Sequence, residues 1–248
     1  MTNSVIPITS SLRRNPSMDN KAYSTLCAIC DHILHRNDSS FERIAIPLLH
    51  IIRPHPSFLK AYNVVFQSPC RLGVMQIVRV IIRVLIRFSQ SLISPPAHWY
   101  SSRPLNGRCD ILVVSHLLSD EHISIDSDFY FGNIVSEIKK FGFSSTVALI
   151  NHTNHDARTL AKLASTLSEP RVIFSKLSGF ISEFHLFLKC LSESLCLKEA
   201  AAQETNPFYR SVLKQASLAA ISGGTIDVLR LGKQIGSLVA HLQPKAII

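Results

Sequence analysis

A chain of 248 residues of which 46% are hydrophobic and 17% charged carries ample apolar material for a packed core, which excludes an intrinsically disordered protein. The formal net charge of +9 is uneven: residues 1–109 hold 13 Lys+Arg against 4 Asp+Glu, whereas residues 110–248 hold 13 against 13. A basic first part thus faces an anionic partner, membrane phospholipid or nucleic acid, and a neutral domain follows it.

The six cysteines are scattered through a chain too long to need a disulfide framework, so a reducing compartment is the simpler reading. The start, MTNSVIPITSSLRRNPS, lacks the basic-then-apolar order of a secretory signal, and no later run of about 18 residues is free of charge. The expectation is a cytoplasmic protein, open to peripheral contact with the inner membrane.

Residues 1–19 form a leader rich in Ser, Asn and Pro. Residues 20–93 read as a basic helical region. Its first helix, Lys21 to His35, carries Cys27, Cys30, His32 and His35, a set that invites zinc. On one helix those side chains do not all converge, and no second pair follows at finger-like spacing, so the expectation is small buried cysteines and no metal. Phe41–Ile52 and Ser57–Phe66 read as short helices separated by Pro54 and Pro56.

Leu72–Ile93 is more informative. Arg79, Arg83 and Arg87 recur every four residues and stack as one stripe, while Val78, Ile81, Ile82, Val84, Leu85 and Ile86 fill most of the remaining surface. Two readings stand side by side. One is an interfacial helix whose arginines meet anionic headgroups or a partner; the other is a core helix whose arginine stems snorkel to the rim of its own domain. Little aromatic interleaving and no binding motif accompany the arginines, which makes nucleic acid the weakest partner. Residues 94–109, with three prolines, Gly107 and Trp99, read as a linker.

Residues 110–248 read as an α/β domain. Ile111–Val114 is a buried strand that stops at Ser115-His116. Asp126-Ser127-Asp128 precede a helix with Phe131, Ile134, Val135, Ile138 and Phe141 on one face and Gly142 as its left-handed stop. Ser145–Ile150 is a second strand, ending in Asn151, His152 and Thr153. A strand, helix and strand of these lengths make a βαβ unit with a parallel pair. Asp156–Leu167 is a helix capped by Asn154 or Asp156, Arg171–Phe174 a third strand after Pro170, and Phe180–Leu197 a long apolar helix. Asn206-Pro207 starts another, running towards Ser222. Gly223-Gly224 interrupts, and Thr225 caps a last helix through His241 with Val228, Leu231, Ile235, Leu238 and Leu242 inward. Lys245–Ile248 opens a fourth strand, so the sheet reads as truncated at its C-terminal end. Ligands of such sheets meet the carboxyl ends of the strands.

Three features there could carry chemistry. Asp126-Ser127-Asp128 has the Asp-x-Asp form that holds a divalent cation in many nucleotide-sugar enzymes, but its place before a helix favours capping of free N–H groups. His116 and His152 stand at the ends of neighbouring strands ~4.8 Å apart, where either could be a general base towards a sugar hydroxyl or bond a phosphate. His116 is the first choice. Tyr130 offers a stacking surface, and Gly132 would let a backbone approach closely.

The stretch SHLLSDEHISIDSDFYFG followed by INHT, and more loosely SGGTIDVLRLGKQIGSLVAHLQPKAII, resembles the N-terminal half of bacterial GT-B-like glycosyltransferase proteins of surface-carbohydrate biosynthesis. The resemblance implies a Rossmann-like parallel sheet, an incomplete GT-B N-terminal domain, in which Ser115, His116, Asp128, Tyr130, Asn151 and His152 line the side that receives a sugar or glycan acceptor. It also implies a nucleotide-sugar donor held by a C-terminal domain or a second chain, no cofactor in this chain, and no activity by this chain alone. The alternative is a non-enzymatic membrane-surface or protein-interaction module built on Arg79, Arg83 and Arg87.

Overall fold

The computed structural model describes residues 20–34, 46–47, 74–93, 97–105, 107–123, 128, 130–167 and 169–248. The expected leader, the helix Ser57–Phe66, most of Phe41–Ile52, and Asp126, Ser127 and Phe129 lie outside the described residues, as do the side chains of Arg79 and Arg83.

In chain order the elements are α1 (Asn20–Leu34), α2 (Val74–Ile93), β1 (Trp99–Ser101), β2 (Ile111–Leu117), a 3-10 turn (Asp120–Ile123), α3 (Ile134–Lys140), β3 (Ser145–Asn151), α4 (Ala157–Leu163) with a 3-10 turn after it, β4 (Arg171–Phe174), α5 (Phe180–Gln203), α6 (Pro207–Ala220), α7 (Gly223–Leu242) and β5 (Ala246–Ile247). The chain is therefore α/β. By its internal contacts it divides into two compact units, Leu72–Ser194 with Ala220–Ile248, and Met1–Arg71 with Leu195–Ala219.

The first unit holds a mixed five-stranded sheet in the order β1-β4-β3-β2-β5. Strands β2 to β5 are parallel, and β1 runs antiparallel on the β4 edge. From β2 the chain steps to β3 and then β4, and after α7 it returns to the far side of β2. The order reverses between β2 and β5, and in open parallel sheets ligands bind beside such a switch point, beyond the carboxyl ends of the strands. The expected fourth parallel strand at Lys245–Ile248 is thus present as β5, with Ala246 beside Ile111 and Ile247 beside Leu112.

Side-chain alternation divides each strand between two apolar layers. Val113, Leu117, Val147, Leu149 and Ile173 pack against Val135 and Ile138 of α3 and Leu160 and Ala161 of α4. Leu112, Ala148, Val172 and Phe174 face the other way, onto Leu238 and Leu242 of α7. Burial on both faces explains why the strands are near-continuous apolar runs.

The structure corrects four local expectations. First, β2 does not stop before Ser115: Ser115 pairs with Leu149 and His116 with Ile150. The ladder is made by backbone groups, and the buried Ser115 hydroxyl is satisfied by donating to Asp128 Oδ1 at 2.9 Å. Second, α3 begins only at Ile134, so Val135 and Ile138 reach the core while Phe131 and Phe141 stay exposed. Third, Trp99–Ser101 is not linker but an edge strand, with Trp99 opposite Phe174 and Ser101 opposite Val172. Fourth, the cap of α7 is Ser222, whose hydroxyl accepts from Thr225 N at 3.3 Å. Its buried stripe runs Ile226, Arg230, Gln234, Leu238 and Leu242, leaving Val228 41% exposed.

The polar members of that stripe have partners. Glu183, 1% exposed, accepts from Arg230 Nε at 2.5 Å and Arg230 Nη2 at 2.8 Å, and from Ser178 N at 2.9 Å. Arg230 also donates to Asp227 at 2.7 Å, and Gln234 Nε2 donates to Ser175 O at 2.8 Å. Arg87 of α2 joins this group, bonded to Asp227 and 3.8 Å from Glu183 Oε2. Beside it the Phe88 ring meets Phe180, Phe184 and Phe187, with centroids 5.6, 6.1 and 5.7 Å away. Arg87 is thus an arginine at the rim of its own domain. Ile82, Leu85, Ile86, Leu92 and Ile93 of the same helix are exposed. Among the described residues no helix is long and apolar enough to cross a membrane.

In the second unit Leu26, Cys30 and Ile33 form the buried stripe of α1. As expected from Asn206-Pro207, α6 opens with Asn206 Oδ1 accepting from Phe208 N and Tyr209 N at 2.9 and 3.2 Å. The His32 ring meets Tyr209 edge-on at 6.0 Å. No disulfide joins Cys27 to Cys30.

Candidate functional site

The site is built at the carboxyl ends of β2, β3 and β4 by the same alternation that makes the core. Along β2, His116 falls on the face of Leu112 and Val114; along β3, His152 continues the face of Ala148 and Ile150. Because His116 and Ile150 are in register, the two imidazoles emerge side by side where the apolar layer ends. Their rings stack at 5.0 Å with a 28° interplanar angle, and His116 Nδ1 lies 2.8 Å from His152 Nε2. Backbone geometry holds the pair, since His152 N donates to Leu117 O at 3.0 Å.

The opposite face of β2 carries Ser115, and this anchors the loop that crosses above. Asp128 Oδ1 accepts from Ser115 Oγ at 2.9 Å, Tyr130 N at 2.8 Å and Phe131 N at 2.9 Å. Two backbone bonds between Asp128 and Gly132 close the turn. Gly132 there has φ +56°, which only glycine adopts cheaply; nothing lies within 4 Å of where its Cβ would be, so the conformation and not the space demands it. The turn delivers Tyr130, whose ring meets His116 edge-on at 5.4 Å. Asp128 therefore organises the turn before α3 and does not cap that helix as expected, because α3 starts at Ile134 with Asn133 at its N-cap position.

Asn151 is brought to the same strand end but turned to a structural task. Its Oδ1 accepts from Thr153 N and Thr153 Oγ1, both at 3.0 Å, and its Nδ2 donates to His155 O. This shapes the approach to α4, capped by Asp156 through Arg158 N and Thr159 N. Thr153 O in turn accepts from Lys176, which follows β4. Ser115, His116, Asp128, Tyr130, Gly132 and His152 thus form one connected constellation, with Asn151 buttressing it.

Electrostatics single out His152. Burial first, then a charge on His116 and the Lys176 ammonium, lower its pKa below the ordinary histidine value. Comparison of the chain with protein-family models, with curated proteins and with solved structures finds no match. Among the described residues no group of three or more His, Cys, Asp or Glu side chains is arranged to hold a metal ion.

Sequence reasoning missed Lys176 and the pair His155–Asp120, in which His155 Nε2 donates to Asp120 Oδ2 at 2.7 Å. A signal for Lys176 was available: it stands two residues beyond Phe174, and the rule that singled out His116 and His152 at strand ends applies equally to β4. Nothing in the sequence spacing pairs Asp120 with His155, because the loop after β2 and the loop after β3 meet only in the folded sheet.

Proposed function

We propose that the sheet-bearing unit is a Rossmann-like, acceptor-side domain of a GT-B-like glycosyltransferase system of surface polysaccharide assembly, working in the cytoplasm beside the inner membrane. The nucleotide-sugar donor is brought by a further domain or a second chain. The observation that carries this reading is the His116–His152 contact at the carboxyl ends of adjacent parallel strands, beneath the Tyr130 ring.

That contact bears on the base. A neutral imidazole has one N–H and one acceptor nitrogen. If His116 Nδ1–H donates to His152 Nε2, the Nε2 atom of His116 is left unprotonated and directed to a ligand. His152 suits the acceptor role because its surroundings resist charging it. In transfer, His116 Nε2 would take the proton of an acceptor hydroxyl as its oxygen bonds the anomeric carbon. The bond from that carbon to the nucleotide breaks at the same time, and the nucleotide keeps the electron pair. Tyr130, 54% exposed, supplies a ring face for a sugar.

Saturation-transfer NMR against a panel of neutral and anionic oligosaccharides tests the reading, with His116→Ala and Tyr130→Ala as controls. Binding that both variants weaken supports it. A folded chain that binds no glycan removes it.

One observation favours a second, non-enzymatic reading, in which α2 lies on an anionic membrane surface: the exposure of Ile82, Leu85, Ile86, Leu92 and Ile93. Co-sedimentation with anionic vesicles, lost in an Arg79→Glu, Arg83→Glu double variant, supports it; unchanged sedimentation of that variant removes its basis.

A further inference from the structure

We propose that the ends of β2, β3 and β4 form a binding site for a phosphate group on a small-molecule acceptor, held between the Lys176 ammonium and the His152 imidazole with His116 behind it. The inference deepens the acceptor reading and rests on it only for the identity of the molecule that bears the phosphate.

The Lys176 ammonium has three donors, and the partner seen is the carbonyl oxygen of Thr153, which orients the group over the end of β3 without neutralising it. Two carboxylates described in the loop after β2 are already engaged. Asp120 is taken by His155 at 2.7 Å. Asp128 is 5% exposed and its Oδ1 is committed to Ser115 Oγ and two backbone N–H groups. Tyr130, on another side of His116, presents its ring to it. Among the described residues, the strand ends therefore offer a ligand one fixed cation and two exposed imidazoles, a combination suited to an oxyanion.

The histidine pair adds a proton to this picture. At 2.8 Å the two rings share one hydrogen bond, and charging His152 is opposed by burial, by any charge on His116 and by the Lys176 ammonium. A phosphate monoester, with its second pKa at about 6, placed between Lys176 and His152 would offset that opposition. The site then takes up a proton as the phosphate arrives, and the shared bond reverses: His152 Nε2–H donates to His116 Nδ1, so in this bound state His116 Nε2 carries a proton and is a donor instead of a base. A phosphodiester, with one charge instead of two, offsets it less, so a monoester is the better fit.

Histidine Cε1–H resonances of the whole chain, titrated from pH 5 to 8 with and without inorganic phosphate and then glycerol 3-phosphate, provide the test over about the range in which histidine changes charge. The expected result is a rise of about one pH unit in the His152 midpoint, the order for an opposite charge close by. Lys176→Ala should weaken phosphate binding about tenfold or more, as loss of a charge-assisted bond does. His152→Gln keeps a hydrogen-bonding side chain but should abolish the proton uptake seen by calorimetry in buffers of differing ionisation enthalpy. Circular dichroism confirms that both variants fold. Midpoints that phosphate does not move, or that move equally in Lys176→Ala, overturn the site. So does a response to phosphatidylglycerol vesicles in place of the monoesters, which would assign the cations to a membrane. A phosphate response in a chain that binds no oligosaccharide leaves the site standing and removes the glycosyltransferase reading; glycan binding with no phosphate response does the reverse.

Discussion

Glu183→Gln withdraws one charge from the polar group beneath α5 and α7. In the native chain the Glu183 carboxylate accepts two bonds from Arg230, at 2.5 and 2.8 Å, and one from Ser178 N at 2.9 Å, and both Glu183 and Arg230 are almost wholly buried. The neutral amide can accept with one atom only, so a guanidinium is left in the interior with Asp227, half exposed, as its remaining anion. Breaking a buried pair from one side costs about 3–5 kcal/mol. At ~2–4 °C per kcal/mol for a chain of this size, the melting temperature should fall by about 6–20 °C. Asp227→Asn, at a side chain 55% exposed, should cost about 1 kcal/mol or less. Replacing both partners, Glu183→Leu with Arg230→Met, should recover most of the loss, because no charge is then stranded. Urea unfolding followed by fluorescence is the assay of choice, since the single tryptophan, Trp99, lies in β1 and reports on the sheet-bearing unit. A Glu183→Gln loss under about 1 kcal/mol, or no coupling between Glu183 and Arg230 in a double-mutant cycle, would refute the reasoning.

Further outcomes follow from the loop and the sheet edge. Asp128→Ala removes the acceptor of three bonds and should cost about 1–2 kcal/mol by urea titration, whereas Asp128→Asn, which keeps an acceptor oxygen, should cost markedly less. Equal losses in the two would point to the charge instead of the turn. Gly132→Ala forces a Cβ into φ +56° and should cost about 1–2 kcal/mol; calorimetry showing no change would contradict the turn geometry. Asp110 gives a sign for pH. Lys245, and then the N–H and hydroxyl of Ser144, hold its carboxyl well below the usual carboxylate range, so the folded state favours the charged form. Its contribution is complete above the unfolded value of about 3.9 and fades as pH falls below it. Asp110→Asn should therefore flatten the acid limb of stability measured between about pH 5 and pH 2, and an unaltered slope would count against these contacts.

Elements that depend on local pattern were legible in the sequence. The strand Arg171–Phe174, the left-handed Gly142 at φ +77°, the Asp156 and Asn206 caps and the returning strand at Ala246 all follow from periodicity or capping chemistry. What escaped was tertiary. Arg230 and Gln234 occupy inward positions of α7 that any hydrophobic count assigns elsewhere, because their partners, Glu183 and Ser175, are far away in sequence. Ser115 and His116 looked like a strand end for the same reason: the ladder to Leu149 and Ile150 is invisible until β3 is placed. For the site, strand ends marked His116 and His152 correctly as neighbours, since parallel register follows from alternation. The tilt of Tyr130 over His116, and the reach of Lys176 to Thr153, depend on loop conformations that spacing does not encode.

Arg230 and Gln234 also act as a ruler. Each is tied to a partner outside α7, so the helix can neither slide nor turn: one residue of slippage means about 1.5 Å of travel and roughly 100° of rotation, enough to detach both. Only Gln243, Pro244 and Lys245 separate the end of α7 from β5. The height at which Ala246 meets Ile111 is thus measured out from bonds made twelve and more residues upstream. An insertion in the second half of α7 would carry β5 out of line with β2, whereas the same insertion in the exposed Phe141–Ser144 loop would leave the strand crevice where it is.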